Sequence, residues 1–492
     1  MDQRKLLELQ TQRGAKTIGY DTNTKTLEVV ESECRKAIED NSEKYRELSA
    51  ADKKDAIKQI IIDYVMTTKP LVVGYIDNEK RPDTLKLVDK LVENITDYGI
   101  LTNAIIDDSI FEIRCNGKEL KVEKNGRIQD LLDKDGNIVS FESPEQQEIV
   151  MRKLLGDVRL TPKDAIVNAR TIEGYRVAAV HSSALSPDPN NPSGDLYHAF
   201  VLRKFKKSKM GLDQIVKFGT MSDGMAQLTE LFIRGGLAFA TCGRTASGKT
   251  TTNNAILQST PDGVRVVLIQ NPSEIDLRKF DSSGRVINDV LHLEASEKEN
   301  PTPSDPTMAN HMAASLRLSP TLVCLGEVRT NKEFELCMMI LNAGHEINVT
   351  YHAGDSEGAI QRFLTAYMAS SGEGIETALP TLTSLMRFIV IQNIMKDGTR
   401  KVLQISEVLG VDPKNPHKAL INDIYRFEPK GKPTYDEAGR VTSIPGIHRR
   451  VGALSEKTIM KLRLEGVPEE KYNRFIDEPS ESEVETYTGK WE

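Results

Sequence analysis

The stretch Gly243-Arg244-Thr245-Ala246-Ser247-Gly248-Lys249-Thr250 fits the phosphate-loop pattern G-x-x-x-x-G-K-[ST] at every fixed position. Its flanks agree with it. Leu237 to Thr241 (LAFAT) reads as a short apolar strand, and Thr250 to Ser259 (TTTNNAILQS) reads as the start of a helix. Glycines let the backbone curl tightly, so that successive N–H groups and the helix N-terminus converge on one point and attract an anion. Lys249 is expected to reach the terminal phosphates of a nucleoside triphosphate, and the Thr250 hydroxyl to hold Mg²⁺. The cradle comprises Gly243, Arg244, Thr245, Ala246, Ser247, Gly248, Lys249, Thr250 and the adjoining Thr251.

Outward from the loop, apolar strands alternate with helices from about 226 to 450. After the loop come Val264 to Ile269 (VRVVLI), Thr321 to Leu325 (TLVCL) and Ile347 to Tyr351 (INVTY). Near-continuous apolar strands of this kind belong in a parallel sheet covered on both faces, so the fold class is α/β. Before it, residues 86–205 read as an α+β domain. IFEIRC (Ile110 to Cys115) and LKVE (Leu120 to Glu123) are strands around an Asn116-Gly117 turn, a helix follows at about 145–156, and further strands lie near Ala165 to Val167, Tyr175 to Val180 and Ala199 to Lys204. Residues 1–85 read as a helical appendage and 206–225 as a linker. Residues 451–492 read as a C-terminal tail that is partly disordered over its last dozen positions. The turn-rich Ser186 to Gly194 reads as a mobile surface loop.

Bulk properties narrow the function classes. A length of 492 residues suggests about three domains. A net charge of −7 gives no overall basic field for nucleic acid, and the basic run Lys204 to Lys209 (KFKKSK), with Phe205 its one aromatic, is short enough to be a solvated loop. Five scattered cysteines without a C-x-x-C pair suggest buried thiols of a cytosolic protein. No stretch reaches the roughly 18 apolar residues of a membrane helix.

The strand Thr321 to Leu325 is followed by Gly326-Glu327-Val328-Arg329, which places Glu327 at the carboxyl end of a buried strand, where ligands of α/β sheets bind. There it can position Mg²⁺ or take a proton from an attacking water. Thr330 and Glu333 form a capping box for the next helix, leaving Glu327 for chemistry. His345 and His352 bracket the following strand. Without a third ligand at a useful spacing they suggest a γ-phosphate sensor, or an orienter of Glu327, rather than a zinc site.

In order, GRTASGKT, LIQNPSEIDL, LRLSPTLVCLGEVR and AGHEINVTYHAG resemble the Walker A, Asp box, Walker B and His box of the type II/type IV secretion ATPases, and most of all the CpaF-like motors of tight-adherence pili. FEIRCNGKELKVE (Phe111 to Glu123), EGYRV (Glu173 to Val177) and VLRKF (Val201 to Phe205) resemble the family's N-terminal motifs, so the likeness covers about 105–450. The resemblance implies a RecA-like P-loop motor domain and an N-terminal lobe in a homo-hexameric ring with ATP and Mg²⁺ as cofactors. It further implies a cytoplasmic location and work on an inner-membrane platform protein and pilin or secretion components, without direct nucleic-acid binding. It assigns Lys249 and Thr250 to phosphates and Mg²⁺, Glu327 to water activation, and His352 with His345 to the γ-phosphate environment. Arg203, and more weakly Arg176, match arginines that reach the phosphates from the other lobe. Two departures stand out. The Asp box, usually Glu-Asp-x-x-Glu, reads Gln270-Asn271-Pro272-Ser273-Glu274, leaving Glu274 as the surviving acid and candidate Mg²⁺ ligand, and Ser319-Pro320-Thr321 replaces an Arg-Pro-Asp.

Overall fold

The computed structural model describes residues 24–41, 48, 50–76, 81–124, 127–186, 196–204, 210–271, 274–283, 285–296, 304–479 and 484–486. The mobile loop expected at 186–194 and the basic run 204–209 lie outside the described residues beyond Ser186 and Lys204. The chain divides into two units, Met1–Lys206 and Lys207–Glu492.

Among the described residues of the first unit, the helices Leu27–Asp40, Ala50–Thr68 and Thr84–Thr96 come first. Apolar side chains at helical spacing, among them Val30, Cys34, Ile38, Ile57, Ile61, Val65, Leu87, Leu91 and Ile95, form one buried cluster. That cluster differs from the boundary expected at 85, because Leu87, Leu91 and Ile95 of the third helix complete the core of the first two. A six-stranded sheet follows, built from β1 (Ile110–Asn116), β2 (Glu119–Lys124), β3 (Arg127–Asp130), β4 (Ile166–Arg170), β5 (Arg176–Val180) and β6 (Ala199–Arg203). Its order is β3-β2-β1-β6-β5-β4 and every pairing is antiparallel. The alternating burial of β5 and β6 leaves one sheet face partly exposed, and Val177, Ala179, Phe200 and Leu202 face the core. The helix Pro144–Leu155 supplies Val150, Met151 and Leu154 to that core. It starts at Ser143, whose hydroxyl accepts from the Gln146 N–H, with Pro144 at the first helical position.

The second unit is a ten-stranded sheet. Its strands are β7 (Phe239–Gly243), β8 (Val266–Gln270), β9 (Val290–Glu294), β10 (Leu322–Leu325), β11 (Glu346–Tyr351), β12 (Phe388–Ile394), β13 (Arg400–Asp412), β14 (Asn415–Pro429), β17 (Gly446–Arg450) and β18 (Val484–Thr486), with β15 (Thr434–Tyr435) and β16 (Val441–Ser443) forming a separate small hairpin. The order is β18-β17-β14-β13-β12-β7-β11-β10-β8-β9. From β9 to β12 all neighbours are parallel. In β7, β8 and β10 every residue is buried, because successive side chains feed two cores. Ala240, Cys242, Val267, Ile269, Val323 and Leu325 enter one, whereas Phe239, Val266, Leu268, Leu322 and Cys324 enter the other. This is the two-sided burial that the apolar runs predict.

Three features differ from the sequence reading. The linker expected at 206–225 contains the helix Leu212–Lys217, whose Ile215 joins the second core. Beyond β12 the sheet turns antiparallel through the long β13–β14 hairpin, which is interrupted by three register shifts that blur its alternation. The supposed tail from 451 is built into the unit. The helix Glu456–Leu464 and the turns after it bury Leu454, Ile459, Leu462, Val467, Tyr472 and Phe475 in the second core. Ser455 caps that helix and also donates its N–H and hydroxyl to the fully buried Glu407. Within the last dozen residues, Val484–Thr486 pairs with β17. All five cysteines are free and buried.

Candidate nucleotide site

Because β7, β8, β10 and β11 are parallel, their carboxyl ends share one edge of the sheet. At that edge β7 runs into the loop Arg244 to Gly248 and then the helix Lys249–Leu257. Gly248 precedes the helix in the left-handed region at φ +88°, and no side chain caps the first turn, so its N–H groups are left for an anion. A Cβ on Gly243 would lie 1.9 Å from the Gln392 carbonyl oxygen, so only glycine fits there. The Ser247 hydroxyl is buried and has no hydrogen-bond partner among the described residues. A tight cradle, uncapped amides and an orphaned hydroxyl fit a phosphate group.

Lys249 is 8% exposed, and its Nζ donates to the carbonyls of Gly243 and Arg244, both at 3.0 Å. His352, immediately after β11, lies beside it, with Nδ1 2.9 Å from the Gly243 carbonyl and 3.5 Å from Lys249 Nζ. Its Nε2 is 2.9 Å from Glu327 Oε1. The other oxygen of Glu327 accepts from Arg329 Nε at 2.9 Å and from Nη2 at 2.6 Å. Burial pushes the Glu327 carboxyl up, but the Arg329 hydrogen bond and the charges of Arg329, His352 and Lys249 outweigh it and hold the group below the usual carboxylate range. The Glu327 loop is fastened to β11, since Val328 N–H donates to the Thr350 carbonyl at 2.8 Å and the Thr350 hydroxyl donates to the Gly326 carbonyl. The capping box at Thr330 and Glu333 is present.

His345 does not join this cluster. It precedes β11 as His352 follows it, and a strand of six residues separates them by roughly 20 Å. Two histidines bracketing a parallel strand necessarily sit at opposite sheet edges, so the expectation for His345 is corrected here. Its Nδ1 is 2.9 Å from the Pro320 carbonyl oxygen. Beside it, burial pushes Glu346 up to about 7, with Lys461 pulling it down and Glu465 pushing it further up. An acid whose folded pKa lies above its unfolded value loses stability as pH rises from about 4.5 to 7. Glu346→Gln should therefore stabilise the protein at pH 8 by about 1–3 kcal/mol and leave it unchanged near pH 4.5, measured as the difference in melting temperature between the two proteins at each pH.

Gln270 ends β8 and is buried, with its side chain turned onto the backbone that follows. Oε1 accepts from the N–H groups of Glu274 and Ile275 at 2.9 and 2.7 Å, and Nε2 donates to the Ile275 carbonyl at 2.9 Å. The amide thus does what a carboxylate cannot, donating and accepting at once. Gln270→Glu should lower stability by about 1–3 kcal/mol without raising turnover, read from thermal melts and nucleotide hydrolysis. Pro272 and Ser273 lie outside the described residues.

Arg203 and Arg176 belong to the first unit, where they are direct cross-strand partners, and Arg170 is in turn opposite Arg176. On its other side Arg203 is opposite Glu112 of β1, so the row holds a carboxylate beside the three arginines.

A model of the family described as "Type II/IV secretion system protein" matches residues 99–430, more than half of the chain. This chain belongs to that family. Among curated proteins it is 26% identical over 266 residues to the uncharacterized protein MJ0900 of Methanocaldococcus jannaschii, covering 54% of this chain and 44% of the relative. It is 26% identical over 366 residues to the type II secretion system protein E of Pseudomonas aeruginosa, covering 70% and 65%. The chain thus spans less than two thirds of the length of either relative. The X-ray structure of the Legionella pneumophila ATPase DotB matches with 18% identity and a TM-score of 0.43, over 62% of this chain and 78% of that one.

Several residues of this site escape a motif reading. Arg329 stands two positions past Glu327 and binds it. Asn253 and Asn348 exchange amide hydrogen bonds at 2.6 and 2.9 Å in the core, tying the helix after the loop to β11. Asn348 was visible as a polar residue in the apolar strand INVTY. Gln392 and Arg400, which touch the loop from β12 and β13, carried no signal.

Proposed function

We propose that this chain is a Mg²⁺-dependent ATPase, working as a homo-hexameric ring at the cytoplasmic face of a membrane to drive tight-adherence-like pilus assembly or type II/IV protein secretion. The observation that carries the reading is the convergence of Lys249, His352 and Glu327 around a phosphate-shaped loop at one sheet edge. Family membership supports the secretion side. Lys249 and the loop amides hold the terminal phosphates, and the Thr250 hydroxyl, at the start of the helix, suits Mg²⁺, which keeps several waters and few protein ligands. Mg²⁺ supplies charge neutralisation on the phosphates. Glu327 orients and deprotonates the attacking water, Glu274 is the further candidate ligand for Mg²⁺, and His352 holds Glu327 while sensing the γ-phosphate. Arg203, with Arg176, brings the permanent positive charge that stabilises the transferring phosphoryl group. No described helix is long and apolar enough to cross a membrane.

The test is ATP hydrolysis by the purified chain with Mg²⁺ or EDTA, and with single- or double-stranded DNA, alongside its mass in solution. Metal-dependent turnover by a six-fold assembly, indifferent to DNA, is the expected result. A large stimulation by DNA would favour a nucleic-acid motor instead, and a ring that binds ATP without turnover would be a scaffold.

A further inference from the structure

The phosphate loop is gripped from its own sheet by residues outside the nucleotide motifs. β12 lies next to β7 in parallel, with Gln392 in register with Gly243. Gln392 is 1% exposed, and its Nε2 donates to the Ser247 carbonyl at 2.9 Å. From the adjoining start of β13, Arg400 Nε donates to the Ala246 carbonyl at 3.2 Å, and its Cδ would lie 2.8 Å from a Cβ on Gly248. These two bonds fall on consecutive carbonyls. The first belongs to Ala246, a non-glycine residue at φ +62°, a conformation that persists only where the surroundings impose it. The hairpin that carries both side chains is itself anchored, because Lys401 Nζ donates to the Gly219 carbonyl at 2.7 Å and Val402 N–H to the Thr220 carbonyl at 2.7 Å.

We propose that Gln392 is a positioning residue for the phosphate loop, with Arg400 as the second arm of the same clamp, so that the loop is preorganised for nucleotide before any arrives. The proposal rests on the ATPase reading. Gln392 touches no reacting atom, and its effect runs through the Ser247 and Ala246 carbonyls, whose placement sets where the loop N–H groups point. Preorganisation lowers the cost of binding and leaves the chemical step alone. Gln392 Oε1, like the Ser247 hydroxyl, is buried without a hydrogen-bond partner among the described residues, so the amide is held for its donor and not for its acceptor.

The experiment measures steady-state ATP hydrolysis and the binding of a fluorescent ATP analogue for the full chain and for Gln392→Met, Gln392→Glu and Arg400→Lys. Gln392→Met keeps the volume and loses the donor. Its KM for ATP should rise about tenfold with kcat within about threefold, and analogue binding should weaken in parallel. Gln392→Glu adds a readout that a packing role would not move. At pH 8 its carboxylate faces the Ser247 carbonyl, whereas at about pH 5.5 a carboxyl raised by burial is protonated and donates again. The ratio of its KM to that of the wild type should fall toward one across that interval. Arg400→Lys, which retains a donor, should lose less than Gln392→Met.

If the wild type turns over ATP and Gln392→Met matches its KM within twofold, with Gln392→Glu flat in pH, the clamp is overturned and the ATPase reading stands. A fall in kcat at unchanged KM would likewise overturn it, making Gln392 a transition-state contact. A wild type that neither binds nor hydrolyses ATP would overturn the ATPase reading and the clamp together.

Discussion

Lys249→Ala is expected to abolish measurable ATP hydrolysis, with a loss of at least roughly 10²–10³-fold in kcat/KM and weaker nucleotide binding. The side chain is almost fully buried among the Gly243 and Arg244 carbonyls and His352 Nδ1, so its charge already sits at the mouth of the cradle. A γ-phosphate brings negative charge to a site of low dielectric, where an ammonium group is worth far more than in water. Alanine would also remove the ammonium donor from both carbonyls. Isothermal titration with a non-hydrolysable ATP analogue, beside phosphate-release assays, separates lost binding from lost turnover. Turnover within tenfold of the wild type would remove Lys249 from the mechanism.

Glu327→Gln should reduce kcat by about 10²–10⁴-fold, the span of general-base catalysis, while changing ATP affinity only a few-fold. The amide preserves the shape of the group but cannot take a proton. Both oxygens of Glu327 are engaged, one by His352 Nε2 and the other by Arg329, and the cations hold the carboxyl ionised at neutral pH. That makes it available as a base but a weak one, so releasing Arg329 would strengthen it. Arg329→Ala should accordingly move the acidic limb of the pH–kcat profile upward, whereas Glu327→Gln should flatten that limb. An Arg329→Ala profile superimposable on the wild type would mean that this ion pair has no part in tuning Glu327.

What could be read in the chain alone divides along physical lines. Two-sided burial requires uninterrupted apolar runs, so β7, β8, β10 and β11 stood out one by one. In the first unit β1 and β2 were visible as strand-like runs on either side of the Asn116-Gly117 turn. β13 and β14 were harder, because bulges break their period and a residue slip moves every later side chain to the other face. The segment from 451 was misread for a different reason. Its buried residues are spaced among charges and turns, and only the cluster they share with Ile424 and Tyr425 identifies them as core.

The site divides in the same way. The sequence by itself determined the phosphate loop, Glu327 after β10 and His352 after β11, because each lies within a few residues of a strand end and parallel strands bring such ends together. Only the tertiary structure decided the rest. It separated His345 from His352 by the length of a strand, turned Gln270 inward onto its own loop, and set Arg329 on Glu327. It also brought Gln392 and Arg400, about 150 residues further along, onto the carbonyls of Ser247 and Ala246. A local pattern records which side chains follow a strand. Which strands become neighbours, and so which distant side chains close on the loop, is settled by how the strands order themselves in one sheet around the fully buried β7, β8 and β10.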